Sequence, residues 1–173
     1  EVWHALVARC RDNQRALHFV GLLSDGNVHS HIDNLLAMIR RADAEHIRAV
    51  RVHALLDGRD VPKTSALTYV DRMEELLGEI NRKPDRRYQI ASGGGRMITT
   101  MDRYEADWRI VERGWNAHVH GVGRGFASTR EAIETYRRET SGINDQDLPP
   151  FVIRDANGPV GRMRDGDAVI AFN

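Results

Sequence analysis

Histidine, aspartate and arginine gather in three short glycine-bearing segments, each following a strand-like apolar run. The first reads Ser24-Asp25-Gly26-Asn27-Val28-His29-Ser30-His31 and the second Asp57-Gly58-Arg59-Asp60-Val61-Pro62. The third runs from Ser92-Gly93-Gly94-Gly95-Arg96 to Met101-Asp102-Arg103. Guanidinium groups grip carboxylates and phosphates through charge-assisted hydrogen bonds, while imidazole and carboxylate trade protons. Arg59 and Asp60 together suit a polyhydroxylated acid, the arginine for its anionic group and the aspartate for a hydroxyl and its proton. Arg96 and Arg103 can flank one anion, each charge-assisted contact being worth about 1.5–3 kcal/mol. Asp57 reads as a loop ion pair and a cap for the next helix. Of the two neighbouring histidines, His29 is expected to reach the ligand and His31 to support the loop. With Asp25 they could begin a metal site, but a divalent ion needs further ligands that no cue supplies. Gly93–Arg96 lacks the spacing and the Lys-Ser/Thr of a nucleotide-binding P-loop, so nucleotide binding is rejected. Asn27, between Gly26 and Val28, is expected at positive φ.

These groups converge only if the strands before them lie side by side. Residues 17–23 form a short apolar run bounded by a turn, a buried strand, and 47–56 alternate as a second strand. Residues 88–92 make a third. Between them, 30–44 and 63–80 carry apolar residues at helical spacing. Residues 103–120 read as one long helix whose buried stripe is Trp108, Val111, Trp115 and Val119. A glycine-rich link at 121–128 precedes a helix over 129–139, with Ser128 or Thr129 as its cap. An acidic, proline-ended loop at 144–150 leads to a strand at 151–154. Asn157-Gly158 reads as a hairpin turn, and 167–172 as the last strand. Arg124, Arg130, Arg137 and Arg138 read as solvated surface charge. The repeated strand–loop–helix pattern predicts an α/β fold of three layers: a mainly parallel sheet flanked by helices, with possible antiparallel strands near the C-terminus. In such sheets ligands sit at the carboxyl ends of the strands, where all three polar segments fall.

At 173 residues the chain is one domain's worth, 1–173, with a real core. Lysine plus arginine and aspartate plus glutamate both number 25, so no global charge favours nucleic acid or an anionic membrane. The single cysteine, Cys10, excludes an internal disulfide and a cysteine-based zinc site. No apolar run approaches bilayer length. The chain opens at Glu1 inside a helix-like stretch (Val2, Leu6, Val7, Cys10) and ends on an apolar strand. It is expected to be a piece of a longer chain.

Set side by side, residues 21–31, 52–62 and 91–103 resemble the cofactor-independent phosphoglycerate mutases, with support from Pro149–Ile153 and Asp165–Ile170. The likeness covers essentially the whole chain. It implies the transferase domain, inserted in an alkaline-phosphatase-like domain that is absent here. The full enzyme, cytoplasmic, glycolytic and expected to be a monomer, would interconvert 3- and 2-phosphoglycerate through a phosphoserine, using two divalent metals, typically manganese. By the same resemblance His29, Arg59, Asp60, Arg96 and Arg103 match substrate-contacting positions, with Asp60 and His29 as the candidate proton-transfer groups. Asn27 departs from the more usual glycine, and the glycine-rich loop is the longer version. The nucleophilic serine and the metal ligands are not in this chain, which is therefore expected to hold no metal and to be inactive alone. A stand-alone binding module for a small phosphorylated or carboxylic acid is the rival expectation.

Overall fold

The apolar runs pair as their loops require. In the computed structural model, which describes residues 1–102 and 104–172, β1 (Leu17–Leu23), β2 (Ala49–Leu56) and β3 (Arg87–Gly95) are parallel neighbours. Leu23 lies opposite Leu56, and Leu56 opposite Gly95, so the three strands finish together on one rim. β4 (Arg124–Phe126) runs parallel to β5 (Phe151–Asp155), which is antiparallel to β3 and carries the short β6 (Gly158–Pro159). At the other edge β7 (Ala168–Ala171) joins β1 in parallel. The order is β4-β5-β3-β2-β1-β7, with β6 on β5. The mixed, mostly parallel sheet matches expectation; among the described residues, antiparallel pairing is confined to β3 with β5 and β5 with β6. β4 falls in the stretch read as a glycine-rich link; its three residues are too few to show a period.

Helices α1 (Val2–Asp12), α2 (Ile32–Ala44), α3 (Ala66–Ile80), α4 (Trp108–Trp115) and α5 (Thr129–Glu139) flank the sheet. Alternation divides β1 and β2 into two faces. Leu17, Phe19, Val50, Val52, Tyr88 and Ile90 join Leu35, Ile39, Val70, Met73, Leu77 and Ile133 in one core. Each such side chain contributes about 1.5–3 kcal/mol on burial. The intervening positions carry His18 and His53, buried on the other face; Ser92, two residues after Ile90, joins them only because β3 is irregular there. A register shift after Val52 sets His53 opposite Ser92.

Three expectations change. The helix expected over 103–120 is α4, which begins at Trp108 and is capped by Asp107, because Tyr104 and Glu105 sit at φ 66° and 54° and cannot be helical. It continues as a π-helical turn, Asn116–His120. Trp108 and Trp115 are 63% and 58% exposed, not core residues. The segment docks through Gly114, Ala117 and His118 instead, which rolls the indoles outward. Finally, Gly93–Gly95 belong to β3 rather than to a loop. A Cβ at Gly95 would lie 2.2 Å from the Gln146 carbonyl oxygen, so the bare strand admits the 144–150 segment. There Gly95 N–H donates to Leu148 O at 2.8 Å and Met97 N–H to Gln146 O at 2.9 Å.

Candidate functional site

Asp57 ties the rim together. Its Oδ1 accepts the N–H groups of Gly58, Arg59 and Asp60 at 2.8, 3.0 and 3.2 Å, and its Oδ2 accepts the Ser24 hydroxyl at 2.8 Å. Burial alone would raise its pKa. The donated N–H groups of Arg59 and Gly58, with Ser24 and Asp60 N–H, outweigh that and hold the carboxyl below its ordinary value. The residue therefore closes its own loop and does not cap α3, as the sequence had suggested. That helix takes its cap from Asp145, whose Oδ2 accepts Ala66 N–H at 2.9 Å. Asp145 is fully buried and paired with Arg137 at 2.7 Å, so Arg137 is structural rather than solvated charge.

The three polar segments meet. A Cβ on Gly26 would lie 2.7 Å from the Asp60 Cβ, so glycine is what lets the first loop touch the second. From the third, buried Arg96 reaches back: its Nη1 donates to Asp60 Oδ2 at 2.6 Å and to Asp57 Oδ1 at 3.2 Å. Asn144 Nδ2 donates to Gly58 O at 3.1 Å and closes the far side. Asp60 is partly exposed, and its Oδ1 has no hydrogen bond among the described residues. Arg59 and His29 are exposed, and neither side chain has a partner among the described residues. His31 supports the loop: its Nδ1 accepts Asp33 N–H at 3.2 Å as the N-cap of α2. Asn27 has φ 55°, as expected, and Tyr69 donates to Asp25 Oδ1 at 2.5 Å. Arg103 lies outside the described residues. Among the described residues no three His, Cys, Asp or Glu are grouped to hold a metal ion.

Beneath the rim lies a cluster that the sequence did not announce. His18 Nε2 is 3.3 Å from Asp167 Oδ2, and His18 Nδ1 is 2.9 Å from His53 Nε2. His53 Nδ1 is 2.7 Å from Ser92 Oγ, which is 2.7 Å from His118 Nδ1. His118 Nε2 is 2.9 Å from Thr100 Oγ1, in the third loop. Burial pushes His118 down to about 4, His53 well below its ordinary value, and His18 down despite the opposing pull of Asp167. Thr100 sits at φ 73°, a conformation that costs a β-branched residue about 1–3 kcal/mol. The legible signal was placement: His18 stands between Leu17 and Phe19, and His53 between Val52 and Ala54, each inside a strand-like apolar run.

This is an α/β domain whose parallel strands carry cationic, acidic and imidazole groups at their carboxyl ends, where such sheets ordinarily hold ligands. Its family is also shown by comparison. The model for the BPG-independent PGAM N-terminus, PGAM being phosphoglycerate mutase, matches residues 1–173, and the chain belongs to that family. A probable 2,3-bisphosphoglycerate-independent phosphoglycerate mutase of Leptospira interrogans is 53% identical over 173 residues, all of this chain and 31% of that protein. The 2,3-bisphosphoglycerate-independent phosphoglycerate mutase of Trypanosoma brucei brucei is 52% identical over 160 residues, 92% of this chain and 29% of its own. A crystal structure of Leishmania mexicana phosphoglycerate mutase, solved at low cobalt concentration, superposes with a TM-score of 0.94 at 46% identity. It aligns with 98% of this chain, which spans 31% of that protein.

Proposed function

We propose that residues 1–173 are the substrate-holding domain of a larger two-domain enzyme, a mutase interconverting 3- and 2-phosphoglycerate in glycolysis through a phosphoserine on the remainder of the parent chain. The observation that carries this is the rim itself. Asp57 and Arg96 bind the loops to one another, while Arg59, His29 and one oxygen of Asp60 are left open beside them. Arg59 holds the glycerate through its anionic end, joined by Arg103 from the third loop. Arg96 acts on the ligand beside Asp60, whose carboxylate it also steadies. Asp60 receives or returns the proton as a glycerate hydroxyl attacks or leaves, with His29 as the second proton-transfer group. One domain thus parks the phosphoryl group while this one lets glycerate turn without escaping.

The parent's two divalent ions, manganese in this reading, do not fit the residues present: His31 Nδ1 is engaged as a helix cap, and no ligand trio gathers among the described residues. They belong to the remainder of a cytoplasmic, monomeric parent, and this chain alone is inert. In the full-length parent, Arg59→Ala or Asp60→Ala should lower kcat/KM by about 10- to 100-fold, the worth of one charge-assisted contact. Near-normal turnover in both variants would refute the assigned roles. Tight calorimetric binding of 3-phosphoglycerate by residues 1–173 alone would favour the stand-alone binding module instead.

A further inference from the structure

We propose that Asp167, beside β7, is a positioning residue for the third rim loop, acting through a one-directional hydrogen-bond chain that ends on the Thr100 hydroxyl. Asp167 sets the direction. Its Oδ1 accepts Ala16 N–H at 3.0 Å and its Oδ2 accepts Arg164 N–H at 2.9 Å, so the side chain is an acceptor on both oxygens. His18 Nε2–H must therefore donate to it, which leaves His18 Nδ1 bare. Bare Nδ1 accepts from His53 Nε2–H, and His53 Nδ1 then accepts the Ser92 hydroxyl proton. Ser92, having donated, accepts from His118 Nδ1–H, and His118 Nε2 accepts the Thr100 hydroxyl proton. Each proton has one place, and each imidazole is neutral with both nitrogens engaged. Running the chain backwards would set a bare His18 nitrogen against a carboxylate.

The chain ends where the loop needs it. Thr100 lies against α4 so closely that a Cβ on Gly114 would be 2.0 Å from its Oγ1. Three ties hold its left-handed backbone: Thr100 N–H to Ile110 O at 2.9 Å, Asp102 N–H to Thr100 O at 3.1 Å, and the hydroxyl to His118. The hydroxyl proton is thereby committed to His118 Nε2, which pins the third rim loop at Thr100, a few residues after Arg96. A carboxylate at the sheet edge thereby sets the shape of a loop across three intervening strands.

The kinetic consequence rests on the mutase reading; the proton order does not. With selective 15N-histidine labelling of the full-length parent, His18 and His53 should be protonated at Nε2 and His118 at Nδ1. Protonation of His118 at Nε2 would overturn the proposal, whatever the enzyme's activity. In the same chain Thr100→Val and Asp167→Asn should each raise KM for 3-phosphoglycerate about five- to tenfold, with Thr100→Ser restoring it. An unchanged KM in folded Asp167→Asn overturns the positioning role. If Asp167→Asn does not fold, the labelling pattern and the Thr100 pair decide. A wild-type parent without mutase activity would defeat the functional reading and leave the labelling test standing.

Discussion

At the rim, His29 and Arg59 stand in solvent with no side-chain partner among the described residues. Directly beneath, His18, His53 and His118 are buried with both ring nitrogens engaged. The same residue types thus serve opposite ends. A polar group whose hydrogen-bonding capacity is filled by the protein fixes geometry, and one left open is free for a ligand. Asp57 belongs with the buried set although it sits among the open one, and Arg96 serves both, its Nη1 committed to two carboxylates; that sets the order of sensitivity.

Removing the tie should do the most damage. Asp57→Ala strips an acceptor from three backbone N–H groups and Ser24, and takes one of two carboxylates from buried Arg96. A loss of about 3–5 kcal/mol is expected in urea unfolding; a loss typical of a surface site would return Asp57 to the open set. Acid should come next. The folded His118 has a pKa of about 4 against an ordinary 6.5, so below the ordinary value the unfolded chain takes up a proton that the folded one refuses. Its stability contribution is intact above about pH 6.5 and declines toward pH 4, by about 3 kcal/mol from this residue alone. Urea midpoints that stay flat across that window would mean the relay is not held neutral. The smallest effect separates the neighbouring histidines. His31→Ala should cost about 1 kcal/mol through the lost cap of α2, and His29→Ala less than about 0.5 kcal/mol. Equal losses in thermal or chemical unfolding would erase the distinction between support and open group.

Where hydrophobic period and turn chemistry agree, the sequence was readable. β1 spans the predicted residues, and α5 starts at its predicted cap, Ser128 Oγ accepting Glu131 N–H at 3.1 Å while Glu131 accepts Ala127 N–H at 2.9 Å. The meeting of the first two loops was readable too, since parallel strands bring their carboxyl ends together. Side-chain commitment was not. Arg96 in sequence is a cation after glycines, and only the fold sets it against two carboxylates. The glycines of β3 read as a loop because nothing local reveals that another segment will press on them. Trp108, Val111 and Trp115 have the spacing of a core stripe, but spacing gives a helix its sides without saying which side meets the protein. Likewise one histidine per apolar strand looks incidental until a register shift aligns His53 with Ser92.

The outward indoles change how this chain would look to a spectroscopist. Trp108 and Trp115 are largely hydrated in the native state, with Trp115 Nε1 donating to His120 at 2.9 Å, while Trp3 donates to Glu45 at 3.1 Å. Native emission should already be red-shifted and open to quenching by iodide, so fluorescence would follow melting of the sheet poorly. The same two chromophores would report any molecule that comes to rest against α4.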